Sequence, residues 1–322
     1  MGSYSIVAVK PTVADSSESR RSIQTRASSI NRALDEVGDM WTLLILQEVF
    51  WGINTFGEML AATGASRGIL SNRLAWLQDI GCIKKSIDGD ARKPVYRLTK
   101  KSIALYNNAL MAIVWERRYY SNPELDAIDL HHQPCGHSFW PEFVCNQCAQ
   151  EVRWQDIEYH EGPGAGLDVR EIKTRRRATK TIVDEGQGTS LYRNLTELLG
   201  DRWTSNIIAL AYHGFVRFEE FHKELPVATN ILSDRLKLLV DNGILYKKPY
   251  RPSVLRYEYH LTAKGADLLP YFITLLQWGD NWCSHGNGPP MQLTHRICGA
   301  PLKGVVRCDQ CHHEIVASEV SF

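Results

Sequence analysis

Apolar residues recur at helical spacing over 28–50 (Ile30, Leu34, Val37, Trp41, Leu44, Ile45), which predicts one or two helices there. A short helix over 55–62, a tight turn at Thr63-Gly64-Ala65 and a helix over 66–79 follow. Ser66 is placed to cap that last helix, and its Leu70, Leu74 and Leu77 face inward at i, i+4 and i+7. Ile83-Lys84-Lys85-Ser86 and Val95-Tyr96-Arg97-Leu98 read as strands around the Asp88-Gly89-Asp90 turn, a β-hairpin. A longer helix at about 100–120 closes the unit. Helix, helix, turn, helix, hairpin, helix is the order of a winged helix-turn-helix.

The pattern is written twice. Gly38-Asp39-Met40-Trp41-Thr42 returns 162 positions later as Gly200-Asp201-Arg202-Trp203-Thr204, and Leu70-Ser71 and Arg73-Leu74 return as Leu232-Ser233 and Arg235-Leu236. One inserted residue moves the shift to 163, at which Leu98-Thr99 meets Leu261-Thr262 and Trp115 meets Trp278. The predicted class is therefore mainly α with small β wings (α+β), and 322 residues at about 150 per domain fit two such units. The expected organisation is a flexible tail over 1–22, winged helices over 23–122 and 189–285, zinc-ribbon-like modules over 128–154 and 291–318, and a linker over 155–188. That linker carries Gly-rich stretches and the basic run Lys173-Thr174-Arg175-Arg176-Arg177.

The residues Leu34, Gly38-Asp39, Trp41-Thr42, Phe56, Glu58-Met59-Leu60, Ser66, Leu70, Leu74, Leu77, Gly81, Tyr96 and Leu98-Thr99 form a spaced pattern that resembles the HxlR family of bacterial winged-helix regulators. The pattern recurs from Leu199 to Thr262. The resemblance implies a sequence-specific repressor or activator that binds double-stranded operator DNA. It also implies pairing of two copies through terminal helices, here within one chain as a pseudo-dimer: residues 102–118 (Ile103, Leu110, Ile113, Val114) against 266–282 (Leu268, Leu269, Phe272, Leu275, Leu276). Homodimers of whole chains and a small-molecule effector are left open. The cysteine that some members carry before the first helix aligns with Ser28 and Ser190, so thiol-based sensing is not implied.

In a winged helix the second helix of the turn motif enters the major groove. The inward leucines leave Ser66, Arg67, Gly68, Ser71 and Asn72 outward in the first copy. In the second they leave Ala228, Thr229, Asn230, Ser233 and Asp234, with Lys237 a turn later. Arginine matches guanine and asparagine matches adenine in bidentate fashion. The wings carry Lys84, Lys85, Arg92 and Lys93, then Lys247, Lys248, Arg251 and Arg256, cations suited to phosphate. Lysines on a hairpin also keep edge strands from aggregating. Arg73 and Arg235, beside core leucines, are either ion-pair partners or phosphate contacts. The recurring tryptophans are core residues or the wall of a ligand pocket between helices.

His132-Gln133-Pro134-Cys135-Gly136 precedes Cys145-Asn146-Gln147-Cys148, and His295-Arg296-Ile297-Cys298-Gly299 precedes Cys308-Asp309-Gln310-Cys311. Each short stretch has the form of a knuckle, and two knuckles supply a tetrahedral Cys3His set for a structural zinc. One Zn2+ per copy is expected, through His132, Cys135, Cys145 and Cys148, and through His295, Cys298, Cys308 and Cys311. His137 is an alternative fourth ligand, but its counterpart is Ala300. Cys82 and Cys283 are unrepeated and read as core thiols.

Charge is balanced, 37 Lys+Arg against 36 Asp+Glu, which excludes a histone-like polycation but not local basic patches. No nucleotide-binding, serine-hydrolase or zinc-protease motif occurs, so an enzyme is not expected. The opening MGSYSIVAVKPTVADSSESRR lacks the apolar core of a secretory signal, and no apolar run reaches membrane-spanning length. The expected location is cytoplasmic and nucleoid-associated. The competing class is a protein-interaction module that docks through its ribbons and winged helices without specific DNA binding.

Overall fold

The structure is a computed structural model and describes residues 22–87, 94–171, 191, 193–199, 202–251, 254–284 and 286–322. The first half runs β1 (Ser22–Arg26), α1 (Ser29–Val37), α2 (Met40–Phe50), α3 (Phe56–Thr63), α4 (Arg67–Asp79), β2 (Ile83–Ile87), β3 (Pro94–Leu98), α5 (Lys100–Ile103), α6 (Tyr106–Tyr119) and α7 (Pro123–Asp126). It continues with β4 (His131–His132), β5 (His137–Ser138), β6 (Pro141–Cys145), β7 (Ile157–Glu161) and β8 (Leu167–Glu171). The second half runs α8 (Arg193–Leu199), α9 (Arg202–Tyr212), α10 (Phe218–Glu224), α11 (Thr229–Asp241), β9 (Leu245–Arg251), β10 (Val254–Leu261), α12 (Ala263–Ala266) and α13 (Leu269–Trp282). It ends with β11 (Met291–His295), β12 (Ala300–Pro301), β13 (Gly304–Cys308) and β14 (Val320–Ser321).

Local chemistry sets the helix boundaries. The Ser28 hydroxyl accepts from the Asn31 amide and the Asp39 carboxylate from the Thr42 amide, so the predicted helical stretch breaks into α1 and α2. Thr55 and Glu58 form a reciprocal capping box on α3, and Gly64, at φ 67°, ends it in the left-handed region that a side chain disfavours. The longer helix expected at 100–120 is two helices, α5 and α6, with the same break between α12 and α13. Pro270 in the first turn of α13 has no amide to continue a helix from 263. Each wing is a two-stranded antiparallel sheet, β2 with β3 and β9 with β10.

The halves share one core. α6 and α13 pack together and have the same bounds after a shift of 163. The Trp115 indole donates to the Lys264 carbonyl at 2.9 Å, and the Trp278 indole donates to the Lys101 carbonyl at 2.8 Å. Under that shift each bond is the image of the other, as across a two-fold axis. α1 lies on α13 so closely that a Cβ on Gly279 would sit 2.3 Å from the Ser29 carbonyl oxygen. The position corresponding to Gly279 is Glu116, buried on α6, whose carboxylate accepts from the Leu195 amide (2.6 Å) and the Asn194 side chain (2.9 Å). Burial pushes the Glu116 carboxyl up, against the pull of those donors. Of the residues expected at this contact, Ile103 is instead exposed, while Leu110, Ile113, Leu268, Leu269, Phe272, Leu275 and Leu276 are buried.

Part of the expected linker is built into sheets. β7 joins β11, and β8 pairs with β1, so the strand at residues 22–26 is held by residues 167–171. Arg32 reinforces this with a two-pronged bond to Asp168 at 2.7 and 2.9 Å. The basic run at 173–177 lies outside the described residues.

Candidate nucleic-acid interface and metal centres

On α4 the inward row Leu70, Leu74 and Leu77 is buried and leaves Ser66, Arg67, Gly68, Ser71 and Asn72 exposed. On α11 the row Leu232, Leu236 and Leu239 does the same for Ala228, Thr229, Asn230, Ser233, Asp234 and Lys237. The two helix starts differ. The Ser66 hydroxyl accepts from the Ile69 amide, whereas Ala228 offers no side-chain cap. Arg73 is half-buried and pairs with Asp39 at 3.0 Å, which resolves the choice left open for it toward the ion pair. Lys84, Lys85, Lys247, Lys248 and Arg256 stand exposed. Lys247 lies over the Tyr257 and Tyr259 rings at 5.5 and 5.9 Å, so part of its cationic charge already faces aromatic surface. Arg92 and Lys93 lie outside the described residues, and of Arg251 only the backbone, ending β9, is described.

The eight cysteine and histidine ligands do assemble into two Cys3His groups, but in a different combination from the expected one. His132 and Cys135 meet Cys308 and Cys311, and Cys145 and Cys148 meet His295 and Cys298. Each group takes the His-Cys knuckle of one half and the Cys-Cys knuckle of the other. The reason is strand pairing. β6, which delivers Cys145, does not fold back onto β4 and β5 but pairs with β13, its own image in the second half. Phe143 stands opposite Val306, 163 positions on, so the pairing is self-complementary about that point. The ribbons interlock further, because β14 adds to β4 and β7 adds to β11.

The distances suit a metal. From His132 Nδ1 to the sulfurs of Cys135 and Cys311 they are 3.4 and 3.3 Å, and the Cys135 and Cys308 sulfurs lie 3.9 Å apart. In the second group His295 Nδ1 lies 3.4 Å from Cys148 and 3.5 Å from Cys298, and the Cys145 and Cys298 sulfurs are 3.9 Å apart. A tetrahedral ion with bonds of ~2.3 Å to sulfur and ~2.0 Å to nitrogen has edges of ~3.8 Å between sulfurs and ~3.5 Å from sulfur to nitrogen. Both histidines are fully buried, and neither Nε2 has a hydrogen-bond partner among the described residues. His137, the alternative ligand, is exposed and outside both groups. Cys82 and Cys283 are buried, and burial pushes each thiol up to about 12, in keeping with inert core cysteines.

Two winged helix-turn-helix units on one core, each presenting a polar helix face and a basic wing, define a tandem helix-turn-helix protein. The model of the HxlR-like helix-turn-helix family matches residues 36–124 and again 198–287. More than half of the chain is thus covered, and the chain belongs to that family. An uncharacterized HTH-type transcriptional regulator of Mycobacterium tuberculosis is 38% identical over 135 residues, which is 85% of its length but 42% of this chain. That relative is about half as long as this chain. The HTH-type transcriptional regulator YodB of Bacillus subtilis is 33% identical over 91 residues, 81% of its length and 28% of this chain. The solved reduced form of YodB aligns at 30% identity over 97% of that chain and 30% of this one, with a TM-score of 0.28. The family is one of transcriptional regulators, not enzymes. No helix among the described residues is long and apolar enough to cross a membrane.

Proposed function

We propose that this chain regulates transcription by binding operator DNA in a sequence-specific manner as an intrachain pseudo-dimer, with a structural zinc in each mixed Cys3His group. The observation that carries the reading is the reciprocal pair of tryptophan bonds, Trp115 to Lys264 and Trp278 to Lys101, which ties two exposed recognition faces to one body. Such a body suits two half-sites about one helical turn, roughly 10 bp, apart. Ser66, Arg67, Ser71 and Asn72 would read one half-site, and Thr229, Asn230, Ser233, Asp234 and Lys237 the other. Lys84, Lys85, Lys247 and Lys248 would contact phosphate. Thiolate and imidazole donors at tetrahedral spacing favour zinc, and four protein ligands leave no open position for substrate. The setting is the cytoplasm, at the nucleoid.

The faces are not copies, so the half-sites should differ. Arg67 has Thr229 as its counterpart, and Asp234 repels phosphate, which restricts it to accepting from a cytosine amine or standing clear. In a binding selection from random DNA, Arg67→Ala should relax base preference in one half-site, at about 1–3 kcal/mol. Lys85→Ala should weaken all sequences alike. Recovery of a perfect short palindrome by the monomeric chain, unchanged by Arg67→Ala, would refute this division of labour.

A further inference from the structure

Asp156 and Glu319 hold the same place in the two halves, 163 positions apart. Each ends a single 3-10 turn and leads into the strand that adds to a His-Cys knuckle: Ile157 of β7 pairs with His295, and Val320 of β14 pairs with His132. Their backbones act alike. The Asp156 carbonyl accepts from the Arg296 amide at 2.8 Å, and the Glu319 carbonyl accepts from the Gln133 amide at 2.9 Å. What differs is one methylene of side chain, and it bears on the histidine beside it.

Both histidines present Nδ1 to the sulfurs of their group, His132 at 3.3 and 3.4 Å and His295 at 3.4 and 3.5 Å. A neutral imidazole that ligates through Nδ1 carries its hydrogen on Nε2. Both Nε2 atoms are buried without a hydrogen-bond partner among the described residues, so each half holds one donor that calls for an acceptor. Glu319 Oε2 lies 3.9 Å from His132 Nε2, on a side chain 44% exposed and so with room to turn. An approach of about 1 Å makes a hydrogen bond of ordinary length. No ion pair joins the shorter Asp156 to His295 among the described residues.

Resting on the zinc reading above, we propose that Glu319 is a positioning residue for the group of His132, Cys135, Cys308 and Cys311, and that the two metal sites are unequal. A carboxylate on the far nitrogen fixes the ring and its tautomer and makes Nδ1 a better donor; loss of such a partner costs about 10–100-fold in metal affinity. The Glu319 group therefore holds zinc more tightly than the group of Cys145, Cys148, His295 and Cys298.

The full chain, loaded with zinc, is dialysed against graded EDTA, and the bound zinc is counted by elemental analysis. Two steps of one zinc each are expected, at EDTA levels about tenfold or more apart. Glu319→Ala, which leaves the bond from Gln133 to the backbone in place, should weaken the tighter step at least tenfold, and Glu319→Gln, which keeps an acceptor, should recover part of the loss. Asp156→Glu should tighten the weaker step several-fold and leave the other unchanged, a gain that a merely structural role of this position would not produce. Loss of both zincs in one step, or Glu319→Ala releasing zinc as the wild type does, would overturn the inference and leave the zinc reading standing. A purified chain that takes up no zinc would overturn both.

Discussion

Trp115 and Trp278 stand at the same place in the two halves and make the same bond across the contact, and the ligand knuckles recur in the same way. α4 and α11 also stand at the same place, yet the first begins with a capped Ser66 and carries Arg67, and the second begins with an uncapped Ala228 and carries Asp234. The difference has a physical reading. A residue on a two-fold contact meets the other half, so its identity is constrained by both copies at once. A residue facing solvent or a ligand is constrained only by what it meets there. Repetition therefore marks the contacts the halves make reciprocally, as the tryptophans do, whereas Glu116 and its counterpart Gly279, which meet different partners in the other half, diverge as freely as residues facing solvent.

The sharpest way to break that comparison is through the metal groups. Cys135→Ser with Cys311→Ser removes ligands from one mixed group, so elemental analysis should find about one zinc remaining per chain. Cys135→Ser with Cys148→Ser strikes both groups and should leave about none. If each half bound its own metal, the two results would be exchanged. Structural zinc contributes on the order of 10 kcal/mol to small metal-dependent modules, so the second variant should also lose the larger part of its thermal stability. A smaller effect comes from the tryptophans. Trp115→Phe and Trp278→Phe each delete an indole bond and buried volume, at about 2–4 kcal/mol by denaturant unfolding. Their costs should agree within about 1 kcal/mol. A large cost for one and a negligible cost for the other would mean that the halves do not lean on each other equally.

The metal groups also show where sequence reading stops. The α3 and α4 spans, the Ser66 cap, the leucine rows and the wing strands follow from local periodicity, and the structure places them within a residue or two of expectation. The two knuckles were legible as well, because their spacing is local. Their partnership was not. In a duplicated chain the Cys145 knuckle is as compatible with His295 as with His132, and only the pairing of β6 with β13 decides between them. β1 and β8 escaped for the same reason, since 22–26 and 167–171 are far apart in sequence and neither has a turn to announce its partner. The α5–α6 break was signalled only in the second half, by Pro270.

A test of smaller size addresses the seam where α13 carries Asp280 against α1. Burial pushes its carboxyl up to about 6, against the opposing pull of the Ser29 hydroxyl and the Arg32 guanidinium. The folded chain therefore holds this proton more firmly than the unfolded chain does. The stability it contributes is full below about pH 4 and is lost as pH rises through 6. Asp280→Asn should match the wild type at pH 4 and exceed it at pH 7 by about 1–2 kcal/mol, a figure reduced for the residual access of solvent. Equal stability at both pH values would mean that the seam is wetter than its packing implies.

The smallest expected effect bears most directly on the divergence of α4 and α11, the proposed recognition helices. Ser66 satisfies the Ile69 amide at 3.3 Å, and Ala228 leaves the corresponding amide of Ile231 without a side-chain acceptor. Ser66→Ala should cost about 1 kcal/mol, and Ala228→Ser should return about 0.5–1 kcal/mol. Both positions are exposed, so packing contributes little to either change. Made together, the substitutions exchange the caps between the halves and should nearly cancel in denaturant unfolding, since sites on separate helices add. Their effects on DNA should not cancel. A serine hydroxyl bonded to its own helix is less available to phosphate or base, so Ser66→Ala and Ala228→Ser should alter preference in different half-sites. If the double variant regained wild-type stability and wild-type base preference together, the divergence of the two helix starts would be incidental to recognition, and Arg67 and Asp234 alone would have to carry the asymmetry.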